Sequence, residues 1–547
     1  MYYLCITMKH LRQTLLLLST LSAVLMSLPF LVPKTSLLAL VGLVPLLCLE
    51  RIASQQGVKH IWLWYFWTFV LWNTLTVFWI CNASFGGGIF AIVANSLQMS
   101  LVFALFRSSK KAFKGALPYI FLAALWICWE RWYFGTQISF PWLTLGHSFA
   151  GSPELVQWYS LTGTLGGSLW IWLCNLTVFG LICAKADGSM DSWTKWARRY
   201  CIAALIVLFP LPIFFSVAKY YAWEEPAEKL DVLIIQPNID PYSKFRSLTQ
   251  SEQDNVAENL IKEGIKGRDS GSTLLILTPE TFTRYIETGA PAQHPSVKRM
   301  HTLLSGRTGT NLLLGTASKT YYYGAEAPSI LAYPSGENIW FTTHNSALLL
   351  APDGSTQMYH KSKLVVGTEL TPYPEFFVPI DNKLGGLMAR DVGQDEISLF
   401  DVKSSDGGSI PIGCAICYES VYGEFCTGYI KKGARAMTII TNDAWWGDTP
   451  GYRQHFDYAR LRAVELGRYI ARCGNTGISG VINSRGDVVS ASPWWEPCYI
   501  SGSIGLSDEK TFFVRNGDIV GRVSTMLALL LLLAAVVRNF IPESLRK

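Results

Sequence analysis

The sequence predicts a bundle of membrane-spanning α-helices joined to one α/β domain outside the cytoplasm. Half of the 547 residues are hydrophobic and only 16% are charged, whereas soluble globular proteins carry about 25% charged residues. Most apolar runs lie in residues 1–222, and one more lies near the C-terminus. Residues 223–517 have the composition of an ordinary soluble domain. These observations predict three parts, at 1–222, 223–517 and 518–547.

The apolar runs predict about eight spanning helices, because about 20 apolar residues cross the hydrocarbon core of a bilayer. The predicted spans are 13–32, 36–49, 61–81, 88–106, 116–129, 165–184, 200–218 and 519–538. The second and fifth are short. No small-residue cleavage site follows the first run, and further runs come directly after it, so we expect a span there rather than a cleaved signal peptide. Seven helices then precede the soluble domain and one follows it.

The distribution of Lys and Arg predicts the orientation. Fifteen of these residues lie in one set of short loops and tails, and two, Lys34 and Arg131, lie in the opposite set. Since cytoplasmic loops carry the excess of Lys and Arg, both termini are predicted to be cytoplasmic. Residues 223–517 then face the outside, which in a bacterium means a periplasmic or extracytoplasmic domain anchored in the cytoplasmic (inner) membrane. The mild net charge of +6 and the lack of a basic tract give no indication of nucleic-acid binding.

Residues 223–517 alternate short apolar runs with amphipathic stretches, which predicts a single α/β domain. The predicted strands are 231–238, 274–277, 311–315, 345–351, 410–417, 437–442 and 477–483. The predicted helices are 250–266 and 452–471.

Three residues near the ends of these runs could carry acyl-transfer chemistry. Cys417 ends an apolar run, Glu280 follows Leu274–Leu277, and Lys361 follows Tyr359-His360. A thiol attacks a carbonyl as the thiolate, so it needs a base. Glu280 could be that base if its apolar setting raises its pKa, and Lys361 could stabilise an oxyanion. Each residue also has an ordinary interpretation, as a surface carboxylate or helix cap, a solvated lysine and a core cysteine.

Other motifs carry weaker signals. Cys414 and Cys417 form a C-x-x-C pair, but residues three apart in a strand face opposite sides, and the scattered histidines form no metal motif. We therefore expect no metal and a core role for Cys414. The predicted outer loop 134–164 is either an interfacial anchor or a lid at the lipid edge. Within it, Gly146–Ala150 approaches the G-x-S-x-G elbow but lacks its last glycine and its strand–turn–helix context.

Several blocks in this order resemble the bacterial apolipoprotein N-acyltransferases, which are membrane members of the nitrilase superfamily. The resemblance covers nearly the whole chain. The blocks are Ser139-Phe140-Pro141-Trp142-Leu143, Thr278-Pro279-Glu280, Tyr359-His360-Lys361-Ser362-Lys363-Leu364-Val365, Cys417-Tyr418-Glu419, Asn442-Asp443-Ala444-Trp445-Trp446-Gly447-Asp448 with Gln454-His455, Arg460–Glu465 and Arg472–Gly477.

The resemblance implies a nitrilase-like αββα sandwich and a phospholipid:apolipoprotein N-acyltransferase that uses no cofactor. In that family Glu280 would be the base, Lys361 would hold the oxyanion and Cys417 would be the nucleophile. Tyr418 and Glu419 would support the nucleophile. The acyl donor would be a membrane phospholipid, and the acceptor would be the N-terminal amine of the diacylglyceryl-cysteine of an apolipoprotein.

Two positions depart from the family pattern. The family's second glutamate follows a glycine in L-V-P-F-G-E, whereas here Glu369 follows Gly367-Thr368 and the proline is absent. We expect Glu369 to support Lys361 or the thiol. A tryptophan that the family often carries after the first strand is replaced by Phe245, which could alter the pocket for the acyl chain or head group.

Two rival functions remain open from the sequence. A membrane-tethered nitrilase-type amidase would hydrolyse a small amide with the same residues. A transporter or receptor would place ionisable residues along its spans, and the predicted spans contain almost none.

Overall fold

The computed structural model describes residues 8–386 and 388–540. The chain divides into two compact units. The first, here called the helical unit, comprises the described residues of Met1–Thr136, Phe140–Ala222 and Asn516–Lys547. The second, the sandwich unit, comprises the described residues of Gln137–Ser139 and Trp223–Arg515.

In chain order the α-helices are α1 (Met8–Leu31), α2 (Val44–Gln55), α3 (Trp62–Val77), α4 (Ile80–Ala83), α5 (Phe85–Ser109), α6 (Leu117–Gly135), α7 (Tyr159–Ala186), α8 (Lys195–Leu208), α9 (Pro210–Tyr221), α10 (Pro241–Arg246), α11 (Gln250–Gly264), α12 (Pro295–Leu303), α13 (Pro374–Lys383), α14 (Gly423–Lys431), α15 (Pro450–Leu466), α16 (Phe512–Asn516) and α17 (Ile519–Phe540).

The strands are β1 (Lys229–Gln236), β2 (Leu274–Leu277), β3 (Thr283–Glu287), β4 (Thr310–Tyr323), β5 (Tyr333–Gly336), β6 (Ile339–Leu350), β7 (Thr356–His360), β8 (Phe400–Lys403), β9 (Ser409–Ile416), β10 (Ala436–Thr441), β11 (Ile470–Gly474), β12 (Gly480–Ile482), β13 (Val488–Ala491) and β14 (Cys498–Gly505).

Six helical stretches of the described residues are long and apolar enough to cross a membrane. They are His10–Leu31, Ser36–Gln55, Phe85–Ser109, Tyr159–Ala186, Lys195–Tyr221 and Ile519–Arg538. The other two predicted spans correspond to α3 and α6. Helix α3 has only 16 residues, and α6 carries Glu130 and Arg131 in its last turns. The helices therefore lie where the sequence predicts them, and the number of eight spans stays a prediction.

The segment between α6 and α7 is packed into short 3-10 turns. Glu130 accepts hydrogen bonds from the backbone N–H of Leu145 (2.7 Å) and from Trp126 Nε1 (3.0 Å). The stretch that approaches the lipase elbow is a 3-10 turn, Leu145–Phe149, in which Ser148 is fully buried. Because an elbow requires an exposed serine on a strand–turn–helix, this turn does not form one.

Two sheets form the centre of the sandwich unit. The first has the strand order β14-β1-β2-β4-β6-β5, with β3 paired to β4 and β7 paired to β6, and the second has the order β13-β12-β11-β10-β9-β8. The inner pairs β1–β2, β2–β4, β9–β10 and β10–β11 are parallel. The outer pairs β1–β14, β4–β6, β8–β9 and β11–β12 are antiparallel.

Alternation along the strands builds four layers. In β1, Val232 and Ile234 belong to the core that also contains strands of the second sheet, whereas Leu233 and Ile235 belong to a core shared with α11 and α12. This is the period of two expected for side chains on opposite faces of a sheet. Helices α14 and α15 pack on the second sheet. The order is therefore helix, sheet, sheet, helix, as the nitrilase-like fold predicts.

Several boundaries differ from the prediction: β4 extends to Tyr323, β6 begins at Ile339, and β12 covers only Gly480–Ile482. Two further differences lie next to blocks that resemble the family. The helix predicted at 452–471 ends at Leu466, because Gly467 adopts a left-handed conformation (φ 62°) and β11 begins at Ile470. A left-handed glycine is a common helix stop. The strand predicted at 410–417 ends at Ile416, and Cys417 opens a 3-10 turn.

Candidate active site

Glu280 lies in the turn that follows β2 and is only 6% exposed. The turn runs directly over Gly315 of β4, where an added Cβ would come within 2.1 Å of the Pro279 carbonyl oxygen. Only glycine allows this approach, since any side chain would collide with the backbone. The backbone carbonyl of Glu280 accepts a hydrogen bond from the buried Lys244 ammonium (3.3 Å).

Lys361 directly follows β7 and is 1% exposed. Its Nζ donates to Glu280 Oε1 (2.9 Å) and to Glu369 Oε1 (2.8 Å). Burial alone would lower the pKa of Lys361, but the two carboxylates outweigh it and raise that pKa well above the usual value. The lysine is therefore a cation held between two carboxylates.

Two asparagine contacts complete this cluster, and sequence reasoning gave neither residue a role. Asn345, on β6, donates through Nδ2 to Glu280 Oε1 and to Glu369 Oε1, each at 2.7 Å. The backbone N–H of Asn442, just after β10, donates to Glu280 Oε2 (3.1 Å). The signals available in the sequence were that Asn345 begins the apolar run 345–351 and that Asn442 begins one of the blocks that resemble the family.

Cys417 stands at the end of β9 and is 9% exposed. Its φ of 50° is left-handed, a conformation that a non-glycine residue rarely adopts. Burial and the charge of Glu280 raise the pKa of the Cys417 thiol well above its usual value, against the opposing effects of Lys361 and of a hydrogen bond with Thr441. The resting side chain is therefore a thiol.

The topology explains why these residues meet. Strand β2 runs parallel to β1 and β4, and β9 runs parallel to β10. Strand β7, antiparallel to β6, runs in the direction of β4. Ligands bind outside the carboxyl ends of strands in open α/β sheets, and Glu280, Lys361, Cys417 and Asn442 each follow the carboxyl end of a strand. The charges of Glu280 and Lys361 both act on the thiol of Cys417, so the three residues predicted from separate segments lie in one cluster.

Glu369 lies on the loop that departs from the family pattern. Its Oε1 binds Lys361, and its Oε2 accepts from the backbone N–H of Val365 (2.7 Å). The loop turns at Gly367, which has a φ of 83°. The carboxylate thus reaches Lys361 although the proline is missing and the glycine is shifted.

Glu419 connects the turns that carry Cys417 and Lys361. It is fully buried, and its Oε1 accepts from the Ser362 N–H (2.6 Å) and the Tyr359 hydroxyl (2.7 Å). Its Oε2 accepts from the Ile416 N–H (2.7 Å). Tyr418 donates its hydroxyl to the backbone oxygen of Ser139, which belongs to the same unit (3.0 Å).

Among the described residues, one group has metal-ligand chemistry. Donor atoms of Cys417, Asp443 and His455 lie within 4.8 Å of one another. The Asp443 oxygens already accept hydrogen bonds from Thr441, His455 and Arg472, which fits a closed polar network better than a metal site. Cys414 is a free, fully buried thiol in the core between the sheets. The side chain of Phe245, which the sequence suggested as a pocket residue, lies outside the described residues.

Two family models match the chain. Residues 234–511 match the carbon–nitrogen hydrolase model, and residues 22–177 match the apolipoprotein N-acyltransferase N-terminal domain. The first match spans half of the chain and contains every residue of the cluster. The chain belongs to the carbon–nitrogen hydrolase family, and its N-terminal domain assigns it to the apolipoprotein N-acyltransferases within that family.

Relatives named apolipoprotein N-acyltransferase match over most of the chain. A protein of Chlorobaculum tepidum named apolipoprotein N-acyltransferase is 28% identical over 513 residues, 92% of each chain. A Geobacter metallireducens protein of the same name is 25% identical over 519 residues, again 92% of each chain. Among solved structures, Saccharomyces cerevisiae Nit3, a member of branch 10 of the nitrilase superfamily, is 18% identical, with a TM-score of 0.36 over 52% of this chain and 92% of that chain.

Proposed function

We propose that this protein transfers an acyl chain from a membrane phospholipid, through a thioester on Cys417, to the N-terminal amine of the diacylglyceryl-cysteine of apolipoproteins. The observation that carries the proposal is the buried group of thiol, carboxylate and ammonium, attached to the N-terminal domain of the apolipoprotein N-acyltransferases. The relatives from Chlorobaculum tepidum and Geobacter metallireducens, which each match 92% of the chain, are both named apolipoprotein N-acyltransferase.

The first step is removal of the thiol proton by Glu280. The raised pKa of Cys417 keeps the sulfur protonated at rest, so the thiolate forms only as the acyl carbonyl arrives. Glu280 Oε1 is occupied by Lys361 and Asn345, whereas Oε2 accepts a single hydrogen bond among the described contacts, from Asn442. Oε2 therefore retains a lone pair that can accept the proton.

The second requirement is a donor for the oxyanion of the tetrahedral intermediate. The Lys361 ammonium has three N–H bonds and uses two of them on Glu280 and Glu369. The third can point to the oxyanion, and the two carboxylates keep the lysine charged and fixed before substrate arrives. Such preorganisation is the largest single contribution in many acyl-transfer sites.

The reaction closes with balanced proton transfers. Collapse of the first intermediate breaks the ester C–O bond, Glu280 returns the proton to the departing lysophospholipid oxygen, and the acyl group remains on sulfur. The α-amine then attacks the thioester, Glu280 takes a proton from nitrogen, the C–S bond breaks, and Glu280 returns that proton to the departing Cys417 sulfur. The products are the amide and the Cys417 thiol, and no cofactor is consumed.

The same proposal includes the membrane setting. Both substrates reside in the lipid bilayer, which gives a reason for joining the catalytic unit to apolar helices. Six helical stretches of the described residues are long and apolar enough to span a bilayer. We propose eight spans in the cytoplasmic membrane of a bacterium, both termini in the cytoplasm and the sandwich unit on the outer face. The excess of Lys and Arg in one set of loops supports this orientation.

Mass spectrometry of the purified full-length protein, after incubation with a phospholipid of defined acyl chains, tests the function. We expect an acyl adduct on the Cys417 peptide, loss of the adduct in Cys417→Ala, and transfer of the adduct to a diacylglyceryl-cysteine peptide. Cys414→Ala is the matched control, since Cys414 is a buried cysteine three residues away, and it should keep the adduct. An adduct in Cys417→Ala would exclude this nucleophile. Release of fatty acid without N-acylated peptide would favour the amidase alternative.

A further inference from the structure

A second buried polar group lies next to the Cys417 turn, and the proposed chemistry does not use it. Its members are polar or charged and are at most 1% exposed. They are Ser420, Asp443, His455 and Arg472. Burial of polar and charged groups is unfavourable unless they form hydrogen bonds or ion pairs with one another. The contacts within this group therefore need a physical explanation.

Asp443 and His455 form the centre of this group. His455 Nδ1 lies 2.9 Å from Asp443 Oδ1, and Asp443 also accepts from Thr441 Oγ1 (2.6 Å) and from Arg472. Burial alone would raise the pKa of Asp443, but His455 and Arg472 outweigh it and lower that pKa to about 2. The carboxylate is ionised, so His455 Nδ1 is the hydrogen-bond donor, and the other ring nitrogen points away from Asp443.

That other nitrogen points at the backbone of the nucleophile. His455 Nε2 lies 3.2 Å from the carbonyl oxygen of Cys417 and 3.0 Å from Ser420 Oγ. Ser420 Oγ donates to the same carbonyl oxygen (2.7 Å). A carbonyl oxygen only accepts, so the 3.2 Å contact is a hydrogen bond when Nε2 also carries a proton, as in an imidazolium paired with the Asp443 carboxylate. The imidazolium and the Ser420 hydroxyl then hold one peptide group, the one that follows Cys417.

The conformation of Cys417 shows why this peptide needs to be held. Its φ of 50° is left-handed, and such a conformation is strained in a residue with a Cβ and persists only where its surroundings fix it. The dihedral angles of Cys417 also set the direction of its side chain. A peptide free to relax would turn the sulfur away from Glu280 and Lys361.

We propose that Asp443 and His455 form a positioning pair, which holds the strained peptide of Cys417 and so aims the sulfur at Glu280 and Lys361. The inference rests on the proposed role of Cys417 as nucleophile. His455 acts on the backbone of the nucleophile, Asp443 fixes the orientation of the imidazole, and Arg472 anchors Asp443. The edge of Trp446, 5.6 Å from the imidazole between ring centroids, packs against the same ring.

The test measures the reactivity of the Cys417 sulfur in the full-length protein, without any natural substrate. The protein is treated with iodoacetamide over a range of pH, and alkylation of each cysteine peptide is followed by mass spectrometry. Cys498, which is partly exposed on β14, is the internal reference. Cys473, fully buried on β11, reports unfolding, because it reacts only if the unit opens.

Three variants distinguish a role of Asp443 and His455 in positioning Cys417 from a role in packing alone. His455→Leu removes the contact with the Cys417 carbonyl, His455→Gln keeps a nitrogen near the position of Nε2, and Asp443→Asn removes the anchoring charge. His294→Gln, at the start of α12 in the same unit, is the matched control. We expect the ratio of Cys417 to Cys498 alkylation to fall about tenfold in His455→Leu, since small misplacements of a reacting atom change rates by 10–100-fold. In Asp443→Asn the pH profile should also move to lower pH, because the charge of Asp443 raises the pKa of the Cys417 thiol, so the ratio is compared at a matched fraction of thiolate, where it should fall about threefold. In His455→Gln and in the control the ratio should stay within twofold.

A wild-type ratio and pH profile in His455→Leu, with Cys473 unlabelled, would overturn the inference. Equal losses in His455→Gln and His455→Leu would overturn it too, because the hydrogen bond would then not matter. If His455→Leu unfolds, the ratio of Cys417 to Cys498 alkylation is compared among Asp443→Asn, His455→Gln and the control. A lower ratio in Asp443→Asn alone supports the inference, and equal ratios in all three overturn it. The measurement is independent of the proposed function. A wild-type protein that never forms acyl-Cys417, together with the expected alkylation ratios, would contradict the acyl transfer and leave the positioning pair in place.

Discussion

Lys361 and Glu280 form an ion pair of 2.9 Å in which the side chains are only 1% and 7% exposed. Removal of two charges from water costs several kcal/mol for each ion, and this is offset only where further hydrogen bonds complete the pair. Glu369 and Asn345 provide those bonds. The cluster contains two carboxylates and one ammonium, so it holds one negative charge more than Lys361 neutralises. This excess gives the site a proton acceptor and explains why the nearby thiol stays protonated at rest.

Replacing Glu280 and Glu369 one at a time by glutamine should distinguish the proposed base, Glu280, from Glu369, which supports Lys361. Glu280→Gln removes the proton acceptor, and we expect acyl-enzyme formation in a single turnover to slow by about 10²–10⁴-fold. Glu369→Gln removes one hydrogen bond from Lys361, so about a tenfold loss is expected, the equivalent of one bond to a charged group. Rapid quenching followed by mass spectrometry of the Cys417 peptide measures both rates. Equal losses would mean that Glu280 and Glu369 share the role of base.

Removal of the ammonium should destabilise the sandwich unit. Lys361→Met leaves Glu280 and Glu369 buried around one asparagine, and loss of one partner from a buried pair costs about 3–5 kcal/mol. We expect a lower midpoint of thermal unfolding and no acyl adduct.

The double variant Lys361→Met/Glu369→Gln gives the control for this stability effect. It removes one of the two uncompensated charges, so part of the lost midpoint should return while activity stays absent. A double variant less stable than Lys361→Met would contradict the electrostatic explanation.

Local sequence patterns predicted seven of the fourteen described strands of the sandwich unit, together with helices α11 and α15. They succeeded where a strand is a short run of buried apolar residues. The run Leu274–Leu277 predicted β2 with its observed bounds. The apolar pattern did not predict the end of a strand where the chain changes direction within an apolar run. Residues 410–417 carry no polar or charged side chain other than thiols, yet the strand ends at Ile416 and Cys417 adopts a left-handed conformation. Gly467 was the available signal that the helix predicted at 452–471 stops early.

The site was less predictable than the strands, because its contacts join residues that are distant in the sequence. Asn345 binds a carboxylate 65 residues earlier, and nothing near Asn345 in the sequence reports that partner. Glu280, Lys361 and Cys417 were candidates because they lie near the ends of apolar runs. Only the resemblance to a family assigned them to one site, since periodicity did not show that they meet. His455 appeared only as part of a matching block, and its contact with Cys417 depends on how α15 packs against the turn after β9.

The pH dependence of stability should include a contribution from Asp391. Its Oδ1 accepts from Thr343 Oγ1 (2.5 Å), and its N–H donates to the Glu369 carbonyl (2.8 Å). Burial, with a smaller contribution from Glu369, raises the pKa of Asp391 to about 6 from an ordinary value of 3.8. The native state therefore favours the protonated acid, so stability from this group is complete below about pH 4 and is lost as the pH rises through about 6.

Asp391→Asn removes this titration. Relative to the wild type, the variant should gain about 2 kcal/mol of unfolding free energy between pH 4 and pH 7, after an allowance for the partial exposure of the side chain. Denaturant unfolding of both proteins across that range measures the difference. A difference that does not vary with pH would show that Asp391 does not titrate in this window.

Glu419 provides the sharpest test of how the cysteine and lysine turns are held together. Its two oxygens accept from the backbone N–H groups of Ile416 and Ser362 and from the Tyr359 hydroxyl. Glu419→Gln places an amide NH₂ where one oxygen faced a donor, so at least one buried N–H loses its acceptor at a cost of about 1–3 kcal/mol. We expect a lower unfolding midpoint and slower formation of acyl-Cys417. Glu424→Gln, an exposed glutamate in the first turn of α14, is the matched control and should behave as the wild type in both measurements. If Glu419→Gln loses stability but acylates Cys417 at the wild-type rate, the two turns keep their positions without this carboxylate, and the support assigned to Glu419 is wrong.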